Sequence, residues 1–312
     1  LISMNYKKLI ADAWDFTLKN KSLVRYYAFW PAIFAAASTI LVVLFQSTSI
    51  LTKAGQTNIH LFSDMFEFSK QTFSADPNLF WILVLGGIFV FILEIFLPIF
   101  CEGASIHIIA QRYRGSSESL SSGIKYGWLN CVKLTEYHAV LFAFSSFTIL
   151  RIMGYIFIYL SADALTLFFP FLVILFILGV VFSFLFTYAE NFIVIDGQGV
   201  FESLKHSSDL VLDNLKQTFL MLFLLALIGL RVLLNVLIVV LFPVLLSILV
   251  SLLTALNLLA YKFIITALVG LLSLWMIGKL GGALIIFTQA AWTFTFLELK
   301  EKQLGRQQIN QA

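Results

Sequence analysis

The apolar runs of this chain are too long for a soluble protein. Residues 217–297 contain only three charged side chains, those of Arg231, Lys262 and Lys279. A separate apolar run over 79–102 is long enough to cross a bilayer, since a transmembrane helix needs about 20 residues. Of the 312 residues, 60% are hydrophobic and 12% are charged, whereas soluble domains have about 25% charged residues. The chain is therefore predicted to be an integral membrane protein, which excludes soluble enzymes, nucleic-acid-binding proteins and disulfide-rich secreted domains.

The predicted fold is all-α, a polytopic bundle of transmembrane helices, because a helix satisfies its own backbone hydrogen bonds in lipid. Pro243 and Asn257 interrupt the last apolar region. This region is either two long spans joined by an interfacial or re-entrant segment, 244–257, or four shorter spans, which would give eight spans in total. The preferred interpretation has six spans, at 26–47, 79–102, 138–160, 165–190, 218–241 and 263–296.

The positions of the basic residues predict the orientation of the chain. The N-terminal arm, the 103–137 and 191–217 connections and the tail hold 14 of the 20 Lys and Arg residues. The opposite side holds only Lys53, Lys70 and Lys262. Because cytoplasmic loops are enriched in Lys and Arg, both termini are expected in the cytoplasm and residues 48–78 outside, in a protein of the cell membrane.

Three amphipathic stretches with similar apolar spacing end at Lys19, Lys133 and Lys216, and each is followed by an outgoing and a returning span. This order predicts an internal repeat of an interfacial helix plus a helical hairpin, within a single membrane domain. The three units cover about 5–102, 118–190 and 201–297, and residues 298–312 form a cytoplasmic tail. The three Lys side chains are expected to lie near anionic lipid head groups.

The segment from Glu190-Asn191-Phe192 through Asp196-Gly197-Gln198-Gly199 to Asn214 resembles the polar connection of a broad group of bacterial multi-pass membrane proteins of unknown function. That group includes the membrane domain fused to some glycerophosphodiester phosphodiesterases. The arm over residues 9–23 is similar to the start of the same group. The resemblance implies a multi-pass helical membrane domain, and it implies no phosphodiesterase activity, since the sequence contains no such domain.

Ionisable side chains within spans are costly and are therefore candidates for function. Here they are Glu94, Arg151, Arg231 and Lys279. Three cations and one carboxylate leave an excess of positive charge, which predicts a site for an anionic ligand such as a lipid phosphate. The alternative is internal ion pairing together with extension of the long basic side chains towards the interface.

Glu102 and Glu190 occupy matching positions at the predicted cytoplasmic ends of two returning spans. They are candidate residues of the cytoplasmic edge of the bundle, together with the three Lys residues that end the amphipathic stretches. The alternative for both is a solvated helix end.

No catalytic or metal-binding motif is present, and His60, His107, His138 and His206 are scattered along the sequence. The sequence therefore predicts no enzymatic activity, no metal and no cofactor. Two functions remain open: a transporter or lipid- or anion-handling protein with a polar intramembrane cavity, and a non-catalytic scaffold whose amphipathic helices bind partners or head groups. Membrane lipids are the expected partners, nucleic acid is not, and a homo-oligomer or a protein partner is left open.

Overall fold

The computed structural model describes residues 5–38, 61–116, 118–156, 162–240, 251–252 and 259–311, and no β-strand occurs among them. The helices of these residues are, in chain order, α1 (Tyr6–Lys19), α2 (Lys21–Tyr27), α3 (Phe29–Ser38), α4 (Leu61–Ala75), α5 (Pro77–Tyr113), α6 (Leu120–Phe144), α7 (Ser146–Tyr155), α8 (Ala162–Leu185), α9 (Ala189–Ile195), α10 (Val200–Asp213), α11 (Leu215–Val240) and α12 (Leu259–Gln311).

Three helices within the described residues are long and apolar enough to cross a membrane. They are α5, the part of α8 over Leu165–Leu185 and the part of α12 over Gly270–Gly305. A fourth is present if α10 and α11 count as one span, although they are bent by 97° relative to each other. These helices are consistent with the predicted membrane protein.

The other predicted spans are only partly described. The first, 26–47, is described as far as residue 38, where α3 is a shorter apolar helix. The third, 138–160, begins within α6 and continues into α7, and residues 157–161 lie outside the described part of the chain. The predicted segment 244–257 also lies outside it, apart from residues 251–252.

The core of the described structure surrounds the second half of α5. Residues 77–98 of this helix are mostly exposed although they are apolar, whereas residues 99–110 are mostly buried. The buried half contributes to three clusters of packed side chains: one with α1, α2 and α12, a second with α6, α9 and α10, and a third with α9, α10 and α12. The exposed apolar half is the surface that lipid would cover in a membrane.

The α5 and α6 helices approach each other closely because small residues lie at their contact. A Cβ atom built at Gly127 would lie 2.6 Å from the Phe100 carbonyl oxygen and 3.1 Å from the Ala104 Cβ. At Gly103 the corresponding distance to Leu134 Cδ1 is 3.0 Å. Glycine therefore sets the separation of the two helix backbones here, through the absence of a side chain.

Three asparagines make the same local hydrogen bond at corresponding points of the predicted amphipathic stretches. The side-chain amides of Asn20, Asn130 and Asn214 each donate to the carbonyl four residues earlier, over 2.7, 3.0 and 3.0 Å respectively. The residues seven and three positions before each asparagine are buried in all three stretches. These residues are Ala13 and Thr17, Gly123 and Gly127, and Ser207 and Val211.

The three stretches differ in how their helices continue. The α1 and α10 helices end next to Asn20 and Asn214, whereas α6 continues through Asn130 to Phe144. Aligning the three stretches by their asparagines differs from the predicted alignment by their lysines. Lys19 precedes its asparagine, whereas Lys133 and Lys216 follow theirs.

Candidate functional site, a polar cavity between helices

Glu102 and Glu190 lie together in the structure, and His138 lies beside them. Glu102 belongs to the buried half of α5, His138 to α6 and Glu190 to the first turn of α9. The Nε2 atom of His138 is 2.8 Å from Oε2 of Glu102. One nitrogen or oxygen atom from each of the three side chains lies within 4.8 Å of the others. All three residues are half-buried, so their surroundings differ from those of a fully solvated helix end.

The turn before α9 fixes the position of Glu190. The backbone N–H of Tyr188 donates to Oγ of Ser207 over 3.1 Å, and this hydroxyl donates to the Leu185 carbonyl over 2.8 Å. The hydroxyl of Tyr137 donates to the Phe186 carbonyl over 3.1 Å. The end of α8 is thus bound to both α6 and α10, and the first turn of α9 is held against α5.

The two carboxyl groups affect each other strongly because they are removed from water. Burial is the main cause that raises the pKa of Glu190 well above its usual range, and the neighbouring Glu102 carboxyl raises this pKa further. The positive charge available from His138 opposes both effects. Two carboxylates this close are not both ionised without a large cost, which agrees with the raised pKa of Glu190.

A cavity of about 340 Å³ opens beside the two glutamates. Besides α5 and α9, the α12 helix contributes polar side chains to its wall. Gln289 of α12 accepts a hydrogen bond at Oε1 from Oγ of Ser105 on α5, over 2.6 Å. The Thr293 hydroxyl donates to Oδ1 of Asn191 over 3.0 Å and joins α12 to α9. The full lining is Glu102, Ile106, Thr187, Glu190, Asn191, Leu284, Ile285, Thr288, Gln289, Trp292 and Thr293.

A second link joins α9 to α12 outside the cavity. The Lys300 ammonium lies 2.6 Å from both carboxylate oxygens of Asp196, and both side chains are less than one-third exposed. Asp196 comes directly before Gly197, which has a φ of +70°, a conformation that glycine adopts without steric cost. This ion pair holds the turn between α9 and α10 against the last helix.

The candidate residues of the predicted anion site are only partly described. Glu94 is half-buried on α5, and Pro98 lacks the N–H that would bond to the Glu94 carbonyl in a regular helix. Lys279 is exposed on α12, with Nζ at 3.9 Å from the centroid of the Trp275 ring. Arg151 and Arg231 belong to α7 and α11, but their side chains lie outside the described part of the chain. The anion site therefore stays a prediction.

The three lysines of the amphipathic stretches have different surroundings. Lys19 is exposed and pairs with Asp15 over 2.6 Å. The ammonium of Lys133 donates to the Gly197 carbonyl over 2.7 Å, and it thereby joins α6 to the turn after α9. Lys216 is exposed. Their contact with lipid head groups remains a prediction.

The sequence did not single out Gln289 or His138. His138 is one of four scattered histidines, and no motif connects it with Glu102 or Glu190. The available signal was its position at the start of a predicted span, where an ionisable side chain requires a partner.

No family model, curated protein or solved structure matches this chain.

Proposed function

We propose that this protein is a multi-pass membrane transporter for a small cationic solute, which it binds in the cavity lined by Glu102, Glu190 and Gln289. The observation that carries this proposal is that three polar side chains from three different helices line one cavity of about 340 Å³. Ionisable groups in apolar membrane surroundings commonly mark substrate and ion pathways.

The predicted repeat supports the proposal. Glu102 and Glu190 lie at the ends of the returning spans of the first two predicted units, and Gln289 lies in the last two turns of the returning span of the third. The residues that follow each of them are mostly buried. The three asparagine hydrogen bonds lie in the helices that begin the same three units. In many transporters the binding site lies where structural repeats meet, and a cavity bordered by all three units has this arrangement.

The charge of the lining favours a cation over an anion. Two glutamates contribute to the wall, whereas no Lys or Arg among the described residues lines this cavity. An anion or a lipid phosphate would need the separate site predicted around Arg151, Arg231 and Lys279. The proposed solute is therefore a small cation, and the apolar part of the wall, which includes Trp292, Leu284 and Ile285, limits its size.

Uptake into proteoliposomes tests this proposal. The purified protein is reconstituted, a negative interior potential is imposed, and the accumulation of radiolabelled sodium, rubidium, manganese and methylammonium ions is measured. We expect at least one label to accumulate above the level of protein-free liposomes, and Glu190→Gln to return its uptake to that level. The matched control is Glu202→Gln, which changes an exposed glutamate on α10 and should leave uptake intact. Equal uptake with and without protein for all four ions would overturn the proposal.

A membrane-surface scaffold is the second candidate function, and exposed aromatic side chains favour it. Trp128 on α6 is 75% exposed and Phe201 on α10 is 80% exposed, while Trp14 on α1 is half-exposed and lies edge-on to Phe287. Amphipathic helices with aromatic residues on the apolar face bind at the membrane interface. If the protein is such a scaffold, the double variant Trp128→Ser, Phe201→Ser should retain less bound phosphatidylglycerol than wild type in native mass spectrometry. Unchanged retention would reject it.

A further inference from the structure

We infer that Glu102, His138 and Glu190 together bind one divalent first-row transition metal ion, of the class of Mn²⁺, Fe²⁺, Co²⁺ and Zn²⁺. This inference rests on the proposed function, because it names the class of cation that the same cavity takes.

The donor set suits this class of ion. The three side chains supply two carboxylates and one imidazole, from α5, α9 and α6. With a neutral imidazole, the two carboxylates balance the charge of a divalent ion. Mg²⁺ and Ca²⁺ prefer sets made only of oxygen atoms, whereas imidazole nitrogen favours the transition metals and zinc.

The distances require only small movements of the side chains. Ligand atoms at about 2.0–2.2 Å from a tetrahedral ion lie roughly 3.4 Å from one another. The observed separations range from 2.8 Å, between His138 Nε2 and Glu102 Oε2, up to a limit of 4.8 Å within the trio. An ion that enters between the three groups lengthens the shortest contact and draws the others inward. Glutamate has three side-chain torsions with which to adjust, and the helix backbones keep their positions.

The cavity supplies the remaining coordination positions. Three protein ligands leave at least one position open on a tetrahedral ion, as in sites where the metal exchanges a ligand. Glu102 and Glu190 both line the cavity, so an ion held between them is reached from it by water or a solute. A three-ligand site that opens to a cavity lets an ion enter and leave, which a transported ion requires.

Equilibrium binding of Co²⁺ tests the inference. The full-length protein, without a histidine tag and in detergent, is dialysed against Co²⁺, and the bound metal is measured by mass spectrometry and by visible absorption. We expect one Co²⁺ per chain, displaced by Zn²⁺. Outer-shell substitutions weaken metal binding about 10- to 100-fold, so His138→Asn and Glu190→Gln, which remove ligands, should weaken Co²⁺ binding by at least tenfold. Binding that stays within threefold of wild type in both variants, or no Co²⁺ bound by wild type, would overturn the inference.

Matched substitutions control for changes in folding. His206→Asn removes a histidine whose Nδ1 contacts Oε1 of Gln198 over 2.9 Å on α10, and Glu202→Gln removes an exposed carboxylate on the same helix. Both should bind Co²⁺ as wild type does. Thermal unfolding provides the second measurement: at one fixed Zn²⁺ concentration, the rise of Tm should be the same in wild type and both controls and smaller in His138→Asn and Glu190→Gln. An equal rise of Tm in all five proteins would place the metal elsewhere and reject this site.

The two proposals fail in different ways. If wild type binds no Co²⁺ but accumulates rubidium or methylammonium in proteoliposomes, the metal inference is wrong and the transport proposal stands. If Co²⁺ binds to the three residues but no cation accumulates, the metal site stands and the transport proposal is wrong.

Discussion

Glu190 is surrounded by groups that respond to pH. Its carboxyl lies in contact with Glu102, His138 is the nearby base, and the charge of Glu190 is also felt by the Tyr137 hydroxyl. Burial comes first among the causes that raise its pKa, and the Glu102 carboxyl comes second. The folded protein therefore holds a proton at this position that the unfolded chain releases at lower pH.

We expect Glu190→Gln to make stability less dependent on pH. Because the pKa of Glu190 is raised in the folded protein, the unfolded chain releases this proton at lower pH than the folded protein does. The free energy of unfolding of wild type therefore falls as pH rises from about 4.3, the ordinary pKa of glutamate, through the raised value. Glutamine has no proton to lose, so the variant should keep its stability over this range and should exceed wild type at the alkaline end. Thermal unfolding in detergent with a chelator, followed from acid to alkaline pH, measures the difference. Parallel curves for wild type and variant would contradict the expectation.

At the level of helices, the contact of α5 with α6 brings Glu102 and His138 together. Glu102 and His138 are on these two helices, and the separation of the backbones near Gly127 sets how closely the side chains approach. A methyl group at Gly127 would overlap the Phe100 carbonyl, which is a backbone atom and does not rotate away. Gly86, on the exposed half of α5, has open space around it.

We expect Gly127→Ala to reduce stability by about 1–3 kcal/mol, the usual cost of overpacking. The matched variant Gly86→Ala should be neutral or more stable by up to about 1 kcal/mol, since alanine is the better helix former. Urea or thermal unfolding in detergent compares the two variants. Equal stability of the two variants would show that α5 and α6 move apart without cost, which would contradict the close contact at Gly127.

At the scale of the whole molecule, charge and exposure together predict the orientation. Lys70 is exposed on α4 and Glu301 is exposed near the end of α12. The distribution of Lys and Arg predicts that the region of α4 lies outside and the end of α12 in the cytoplasm. Both positions accept a label without disturbing the core, because neither side chain is buried.

We expect a cysteine at Glu301 to react with an impermeant maleimide only after the membrane is opened, and a cysteine at Lys70 to react in intact cells. The background for both is Cys101→Ser, Cys131→Ser, which removes the two native thiols. Mass shift on a gel measures the labelling. Reaction of the Glu301 cysteine in intact cells would reject the orientation that the basic residues predict.

The sequence predicted the parts of this structure that depend on local chemistry. The apolar run over 79–102 predicted a span, and α5 contains it. The amphipathic spacing before Lys19 and Lys216 predicted helices that α1 and α10 provide. It did not predict that α6 would continue without a break beyond Asn130, because the bend or continuation at an asparagine depends on what packs against it.

Glu102 and Glu190 could be singled out from the sequence because they occupy matching positions at the ends of two predicted returning spans. Their contact, the partnership of Glu102 with His138 and the approach of Gln289 across the cavity depended on the tertiary structure. These groups come from helices that are far apart along the chain, and their meeting is set by how α5, α6, α9 and α12 pack. The sequence by itself thus determined a helical chain suited to a membrane. The packing of its helices decided that two acids far apart in the sequence became one half-buried, acidic site, since close approach of side chains is a property of the assembled core and of no single segment.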